Sequence, residues 1–412
     1  MRPLNVGLKT KLSLFAAYSV LLLVASVSSL LHNNRNGSAA KKKKKSPKMP
    51  HSTMEAKSFC PKSMDELKRS PLRQQLKGKS LLTLLDFSPE EIWYLIELSA
   101  ALKRRRKTDR QDQSTNPLLQ GMTIALIFEK DSTRTRCAFE VSSYDEGMHC
   151  TRLDGLGSHF GKKESVEDTA KVLGRFYDCI QFRGSKQTTV EMLSEHSGVP
   201  VFNGLTGEFH PSQAIADVLT MAEHWGIASP EDVKGKKVCY VGDARNNVAV
   251  SLAVICAKLG MHWVGVAPEE LFLGSDMKER LDRLCEETGG SITLSTSDDA
   301  VEGADVIYTD VWVSMGEEDL FEKRIKLLQP YQVDSAMMEA TGKPDTLFMH
   351  CLPAFHDLNT AVGVQVYEGF GLKELEVTDE VFRSPQSVVF DQAENRLHTT
   401  KAIIVAAASP VF

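Results

Sequence analysis

The stretch Phe128-Glu-Lys-Asp-Ser-Thr-Arg-Thr-Arg136 decides the fold. Before it, Met122–Phe128 (MTIALIF) is a short apolar, β-branched run with the length of a buried parallel strand. After it, Cys137, Ala138, Val141 and Tyr144 recur at helical spacing over Thr135–Gly147, and Gly147 is the expected stop. Ser132–Arg136 therefore falls on a strand-to-helix turn. Free backbone N–H groups and the helix dipole favour an anion there. A helix cap takes one Ser or Thr. Three hydroxyls with two guanidiniums exceed that need and read as a phosphate site.

Outward from this stretch, strands and helices alternate. Ser88-Pro89-Glu90-Glu91 opens a helix whose apolar face carries Ile92, Leu95, Ile96 and Leu102, and Lys103–Lys107 forms its basic end. Strands are expected at His149–Asp154, Asp178–Phe182 and Pro200–Asn203, with helices at Glu164–Phe176 and Thr188–His196 and from His210 to about His224. Gly155–Lys163 is a Gly-rich loop. The pattern resumes with strands at Lys237–Gly242, Trp263–Ala267, Ser291–Leu294, Val306–Thr309 and Thr346–His350. Such alternation implies two α/β domains, each a doubly wound parallel sheet. Ligands of such sheets sit beyond the carboxyl ends of the strands. Ser132–Arg136, Arg183, His210–Gln213, Asp243–Asn247, Asp310–Gly316 and His350–Pro353 all fall at such ends.

Composition bounds the rest. The 412 residues, 42% hydrophobic and 25% charged, are enough for two or three globular domains, and the net charge of -5 speaks against nucleic acid as a partner. Eight cysteines are scattered without a C-x-x-C pair, so they read as reduced thiols. There is no C-x-x-C zinc pattern and no H-E-x-x-H, and Gly242-Asp243-Ala244 lacks the later glycines of a dinucleotide loop. No metal and no cofactor is expected.

The N-terminal part is different. Leu12–Leu31 is uncharged and long enough to span a bilayer, Arg2, Lys9 and Lys11 precede it, Lys41–Lys45 follow it, and no acidic residue occurs before Glu55. Residues 1–79 are expected to be a targeting segment and basic linker outside the fold, with any membrane contact confined to 12–31. A reducing compartment suits the thiols. The acid-free leader then favours the mitochondrial matrix, with plastid and cytoplasm as alternatives.

The side chains at the strand ends suggest chemistry. Arg183, His210 and Gln213, one helical turn beyond His210, can donate to an oxygen that becomes negative, as in acyl-type transfer. Asn247, Asp310, Ser314, Met315, Cys351 and Leu352 suit a substrate with amino and carboxylate groups. His350 should point away from that site if its strand continues, so Cys351 reads as a substrate contact rather than a paired nucleophile.

FEKDSTRTR, HPSQ (His210–Gln213), GDARNN (Gly242–Asn247), DVWVSMGE (Asp310–Glu317), HCLPAFHD (His350–Asp357) and VFDQAENRLHT (Val389–Thr399) together resemble ornithine carbamoyltransferases, collinearly from about Leu81 to the C-terminus. The resemblance implies a carbamoyl phosphate domain (80–224 plus 393–412) and an ornithine domain (225–392), with the final helix Ala393–Ala408 returning to the first. It implies that Ser132, Thr133, Arg134 and Thr135 hold phosphate. Arg183, His210, Gln213 and Arg396 would grip the carbonyl side, with Cys351 and Leu352 at the junction. Asn247, Asp310, Ser314 and Met315 would hold ornithine. Arg134, Arg183, His210, Asp310 and Cys351 would carry the chemistry. His159 would come from a neighbouring subunit of a homotrimer or multiple of trimers. The implied reaction makes L-citrulline and phosphate from carbamoyl phosphate and L-ornithine, in arginine or urea-cycle metabolism. Aspartate or putrescine as acceptor, and an inactive membrane-tethered homologue, are the competing readings.

Overall fold

The computed structural model describes residues 59, 61–112, 116–154, 163–227, 229–313 and 320–412. The proposed leader span 12–31, His159, Ser314 and Met315 lie outside the described residues. Glu55–Phe412 forms one compact unit.

Two parallel sheets organise it. The first contains β1 (Thr123–Phe128), β2 (His149–Asp154), β3 (Cys179–Arg183) and β4 (Val201–Leu205) in the order β2-β1-β3-β4. The second contains β5 (Lys237–Val241), β6 (His262–Val266), β7 (Ser291–Ser295), β8 (Val306–Thr309) and β9 (Leu347–His350) in the order β7-β6-β5-β8-β9. Every pairing between these strands is parallel. β1 has Ile124–Phe128 buried without a break, as a strand covered on both faces requires.

The strand orders decide where a ligand can bind. In the first sheet the chain leaves β1 for β2 on one side and returns to β3 on the other. In the second it runs β5, β6, β7 outward and returns to β8 beside β5. The switch points are thus β1/β3 and β5/β8, where loops diverge and leave a crevice at the carboxyl ends. The Ser132 turn and Arg183 flank the first, and the Gly242–Asn247 turn and Asp310 flank the second. Gly242 leaves β5 with φ 128, a conformation closed to most side chains.

Most elements fall within a residue or two of expectation, and three differ. Ser132 caps a helix that begins at Thr133, two residues early, because its Oγ accepts the N–H of Thr135 at 3.2 Å. The final helix starts at Val389, not Ala393, and packs against the helices Pro89–Asp112, Thr133–Asp145 and Pro211–Trp225 of the first domain. The third difference corrects the boundary at residue 79. Residues 64–76 form two short helices, Met64–Arg69 and Pro71–Leu76, started by Ser63 and Ser70. They bury Leu67 and Leu76 in the core, and the Tyr94 hydroxyl donates to the Leu67 carbonyl at 3.0 Å. Six-residue helices are too short to show a hydrophobic period, so the sequence read as linker.

Candidate active site

The first wall of the crevice is cationic. The helix beginning at Thr133 places Thr135, 1% exposed, under the end of β1. Its hydroxyl accepts from Arg183 at 3.4 Å, at the end of β3, and from Arg396 at 3.2 Å, on the C-terminal helix. Arg396 also donates to Gln213 Oε1 at 2.5 Å, and Gln213 Nε2 donates to Asp217 at 2.8 Å. Arg134 reaches across and donates to the Leu352 carbonyl. Hydrogen bonds therefore gather Thr135, Arg183, Gln213 and Arg396, residues distant in sequence, while Arg134 is bonded instead to the Leu352 carbonyl.

Among the described residues no carboxylate forms an ion pair with Arg134, Arg183 or Arg396. The Nε atoms of Arg183 and Arg396 and Nδ1 of His210 are buried without a partner. Burial, then the neighbouring Arg396 and Arg134, pushes Arg183 down to about 10. Burial likewise pushes Arg396 down to about 10, against the pull of Asp217. His210, 4% exposed, is held well below the ordinary histidine range by burial and then by Arg396, Arg183 and Arg134. Guanidiniums resist deprotonation, so at neutral pH all three stay cationic while His210 is neutral. Such a pocket can take a small multivalent anion. Arg136 does not join it. Its guanidinium turns along the helix surface to Glu140 at 2.7 Å, correcting the expectation of two arginines at this turn.

The second wall is acidic and self-satisfied. Asp310, just after β8, accepts from Val311 N at 2.8 Å, from Cys351 Sγ at 3.0 Å and from Asn246 Nδ2 at 3.3 Å. Burial raises the Asp310 carboxyl above the usual range, against the Cys351 bond and the nearby His350. Burial and then Asp310 raise the Cys351 thiol well above its ordinary value, so it is a thiol and not a thiolate at neutral pH. A buried, protonated Cys351 that donates to Asp310 is not an activated nucleophile. Asp310, His350 and Cys351 offer ligand atoms within 4.8 Å of one another. Both His350 nitrogens, however, already hold protein partners: Leu352 N at 2.8 Å and Glu376 Oε1 at 3.2 Å.

Asn247 turns away from Asp310 and donates to the Thr206 carbonyl at 2.5 Å. Its neighbour Asn246, not singled out in the sequence, takes the place beside Asp310, also caps the following helix and donates to Tyr240 at 2.6 Å. The sequence also left out Asp217 and Gln392. Gln392 donates to Asp217 at 2.7 Å and to the Tyr308 hydroxyl at 3.0 Å, so a buried polar network crosses from the first sheet's helices to β8. Helical spacing was the available signal, because Asp217 follows Gln213 by four residues and Gln392 precedes Arg396 by four.

A cationic crevice facing an acid and a thiol, at the switch points of two parallel sheets, defines a two-domain α/β protein built to hold a small anion beside a second, cationic group. The model for the carbamoyl-P binding domain of aspartate/ornithine carbamoyltransferase matches residues 79–223, and the model for the Asp/Orn binding domain matches 234–407. The chain belongs to the aspartate/ornithine carbamoyltransferase family. It is 55% identical over 318 residues to a catabolic ornithine carbamoyltransferase of Mycoplasma capricolum subsp. capripneumoniae, covering 77% of this chain and 99% of the relative. Identity to a like-named Bacillus licheniformis protein is 54% over 332 residues, covering 80% and 96%. Among solved structures, the ornithine carbamoyltransferase of Pyrococcus furiosus aligns at TM-score 0.71 and 41% identity, over 81% of this chain and 98% of that one.

Proposed function

We propose that this chain transfers the carbamoyl group of carbamoyl phosphate to the side-chain amine of L-ornithine, giving L-citrulline and phosphate. The observation that carries this reading is the pair of opposed walls: three guanidiniums without an ion pair among the described residues on one side, Asp310 with Cys351 on the other. The names of the relatives agree with it.

Phosphate sits at the helix N-terminus with Ser132, Thr133, Arg134 and Thr135, where amide dipoles and Arg134 neutralise it. Arg183, His210 and Thr135 donate to the carbamoyl oxygen. The Leu352 carbonyl accepts from the carbamoyl amino group. Asp310 and Cys351 orient the ornithine amine, which at an unperturbed pKa of about 10 must lose a proton before its lone pair can attack. The new C–N bond forms as the carbonyl oxygen becomes an oxyanion. That charge falls among fixed donors, the arrangement that contributes most to acyl-type transfer. The oxyanion then re-forms the carbonyl as the bond from carbon to the bridging phosphate oxygen breaks, and phosphate leaves with the electron pair, taking up the proton that the attacking nitrogen gives up. Rate rises with pH as the amine deprotonates.

Aspartate fits worse, because its second carboxylate would meet Asp310. Putrescine differs only in lacking the α-carboxylate, so turnover separates it from ornithine. The test is a panel in which the full chain receives carbamoyl phosphate with ornithine, putrescine or aspartate. Citrulline, with little turnover of the others, supports the reading. Turnover of putrescine overturns the second-domain assignment, and no turnover by a folded sample moves weight to an inactive homologue.

We further propose a homotrimer or multiple of trimers, with the His159 loop completing a neighbour's site. The large exposed apolar residues Tyr144, Val172 and Phe176 on first-domain helices support an interface there, and sedimentation tests it. The reaction belongs to arginine metabolism, and the relatives named catabolic favour the degradative direction over biosynthesis. A mitochondrial location rests on the basic, acid-free leader. A fluorescent fusion of Met1–Ser80 that stayed diffuse in the cytosol would end that idea.

A further inference from the structure

Leu352 has φ 58, the one positive φ at a non-glycine residue among the described residues. Left-handed backbone is unfavourable for a leucine, so its surroundings must enforce it. The enforcement comes from behind the cleft. The Leu352 N–H donates to His350 Nδ1 at 2.8 Å. An Nδ1 that accepts puts the proton of a neutral ring on Nε2. That nitrogen faces Glu376 Oε1 at 3.2 Å. The same Glu376 oxygen accepts the Phe355 N–H at 2.7 Å, on the far side of Leu352. His350 N donates to Gln392 Oε1 at 3.0 Å. His350 and Glu376 are both 0% exposed, so neither faces substrate. A buried imidazole and carboxylate thus clamp the turn at both ends and aim its strained carbonyl at Arg134 in the cleft.

We propose that His350 and Glu376 are positioning residues that hold the Leu352 carbonyl as the acceptor for the amino group of the carbamoyl donor, and so let the site distinguish a carbamoyl from an acetyl group of the same shape. This rests on the reading that carbamoyl phosphate is the donor. The clamp contributes little to phosphate affinity, which belongs to the opposite wall. The Leu352 carbonyl already accepts from Arg134, so an acetyl methyl in the same place would leave its remaining lone pair desolvated and without the second donor that a carbamoyl amino group supplies.

The experiment measures binding of phosphonoacetamide, of its methyl-ketone isostere and of inorganic phosphate to the full chain by calorimetry. The wild type is expected to bind the amide about ten-fold more tightly than the ketone, the size of one desolvated hydrogen bond. In His350→Leu that ratio is expected to fall to within about two-fold while phosphate affinity is kept, because only the carbonyl has lost its hold. His350→Asn, whose Oδ1 can still accept from Leu352 N, is expected to recover most of the ratio. A His350→Leu protein that keeps the full ratio, or loses phosphate binding in parallel, overturns the proposal. A wild type with no preference for the amide overturns the carbamoyl reading itself. Should His350→Leu fail to fold, ring nitrogen shifts of the wild-type histidine decide the matter. An Nε2–H tautomer with a hydrogen-bonded Nδ1 supports the clamp, and an imidazolium or Nδ1–H ring at neutral pH overturns it.

Discussion

The two walls of the crevice solve opposite problems. On the first, Arg183 and Arg396 keep buried donors without a partner beside Arg134, and His210 is kept neutral by burial and then by the field of the three. On the second, Asp310 already has three donors and Cys351 keeps its proton. A wall with unspent donors is complementary to something absent, here an anion whose charge is large and spread over several oxygens. A wall with satisfied donors is preorganised, holding a carboxylate in a fixed direction for a cation that arrives later. The difference assigns the donor substrate to the first wall and the amine to the second, without reference to any relative.

Breaking the first wall should cost most. Arg134→Gln removes the charge at the helix N-terminus that the leaving phosphate needs. It is expected to lower kcat/KM for carbamoyl phosphate by about 10³-fold or more, measured by citrulline formation. Breaking the second wall should cost less: Asp310→Asn keeps the shape and loses the charge, and should lower kcat by roughly 10²-fold with a smaller effect on carbamoyl phosphate KM.

The network behind the walls gives a stability prediction. Burial raises Asp217 to about 7, against the hydrogen bonds from Gln213 and Gln392. A carboxyl whose folded pKa lies above its unfolded value near 4 binds its proton more tightly when folded. Its contribution therefore falls as pH rises from about 4 to about 7 and is then constant. Asp217→Asn removes that fall. The variant should gain on the wild type by up to a few kcal/mol between pH 5 and pH 8, followed by denaturant unfolding at each pH. A parallel pH dependence in both proteins would contradict the assignment. The smallest effect sharpens the comparison from the first wall: added phosphate should raise the depressed pKa of His210, because an anion offsets the three arginines, and ring-proton NMR reads the shift directly. An unchanged titration would place the anion elsewhere.

Much of this was legible in the sequence, for a physical reason. The turn at Ser132–Thr135 is made of consecutive residues between β1 and the helix that follows it, so its place at a helix N-terminus could be read from composition and position alone. Arg183, His210, Asp310 and Cys351 could be placed because strand ends in parallel sheets converge. What lay hidden depends on side-chain direction. Arg136 looked equal to Arg134 until the helix turned it outward, and Asn247 looked equal to Asn246 until the cap turned one toward Asp310 and the other toward Thr206. Asp217 and Gln392 meet across the join between the two domains, where four-residue spacing to Gln213 and Arg396 hints at each residue but not at their contact, and Glu376 reaches His350 from 26 residues away, a contact that no local pattern records. The helices within 64–76 were missed because six residues cannot display a period.

The most direct test of the account is calorimetric titration of carbamoyl phosphate, without ornithine, into the full chain and its Arg134→Gln and Asp310→Asn variants. Binding is expected to be lost in Arg134→Gln and kept within about three-fold in Asp310→Asn, since only the first wall supplies the anion's counter-charge. Equal loss in both variants would contradict the division of labour between the two walls.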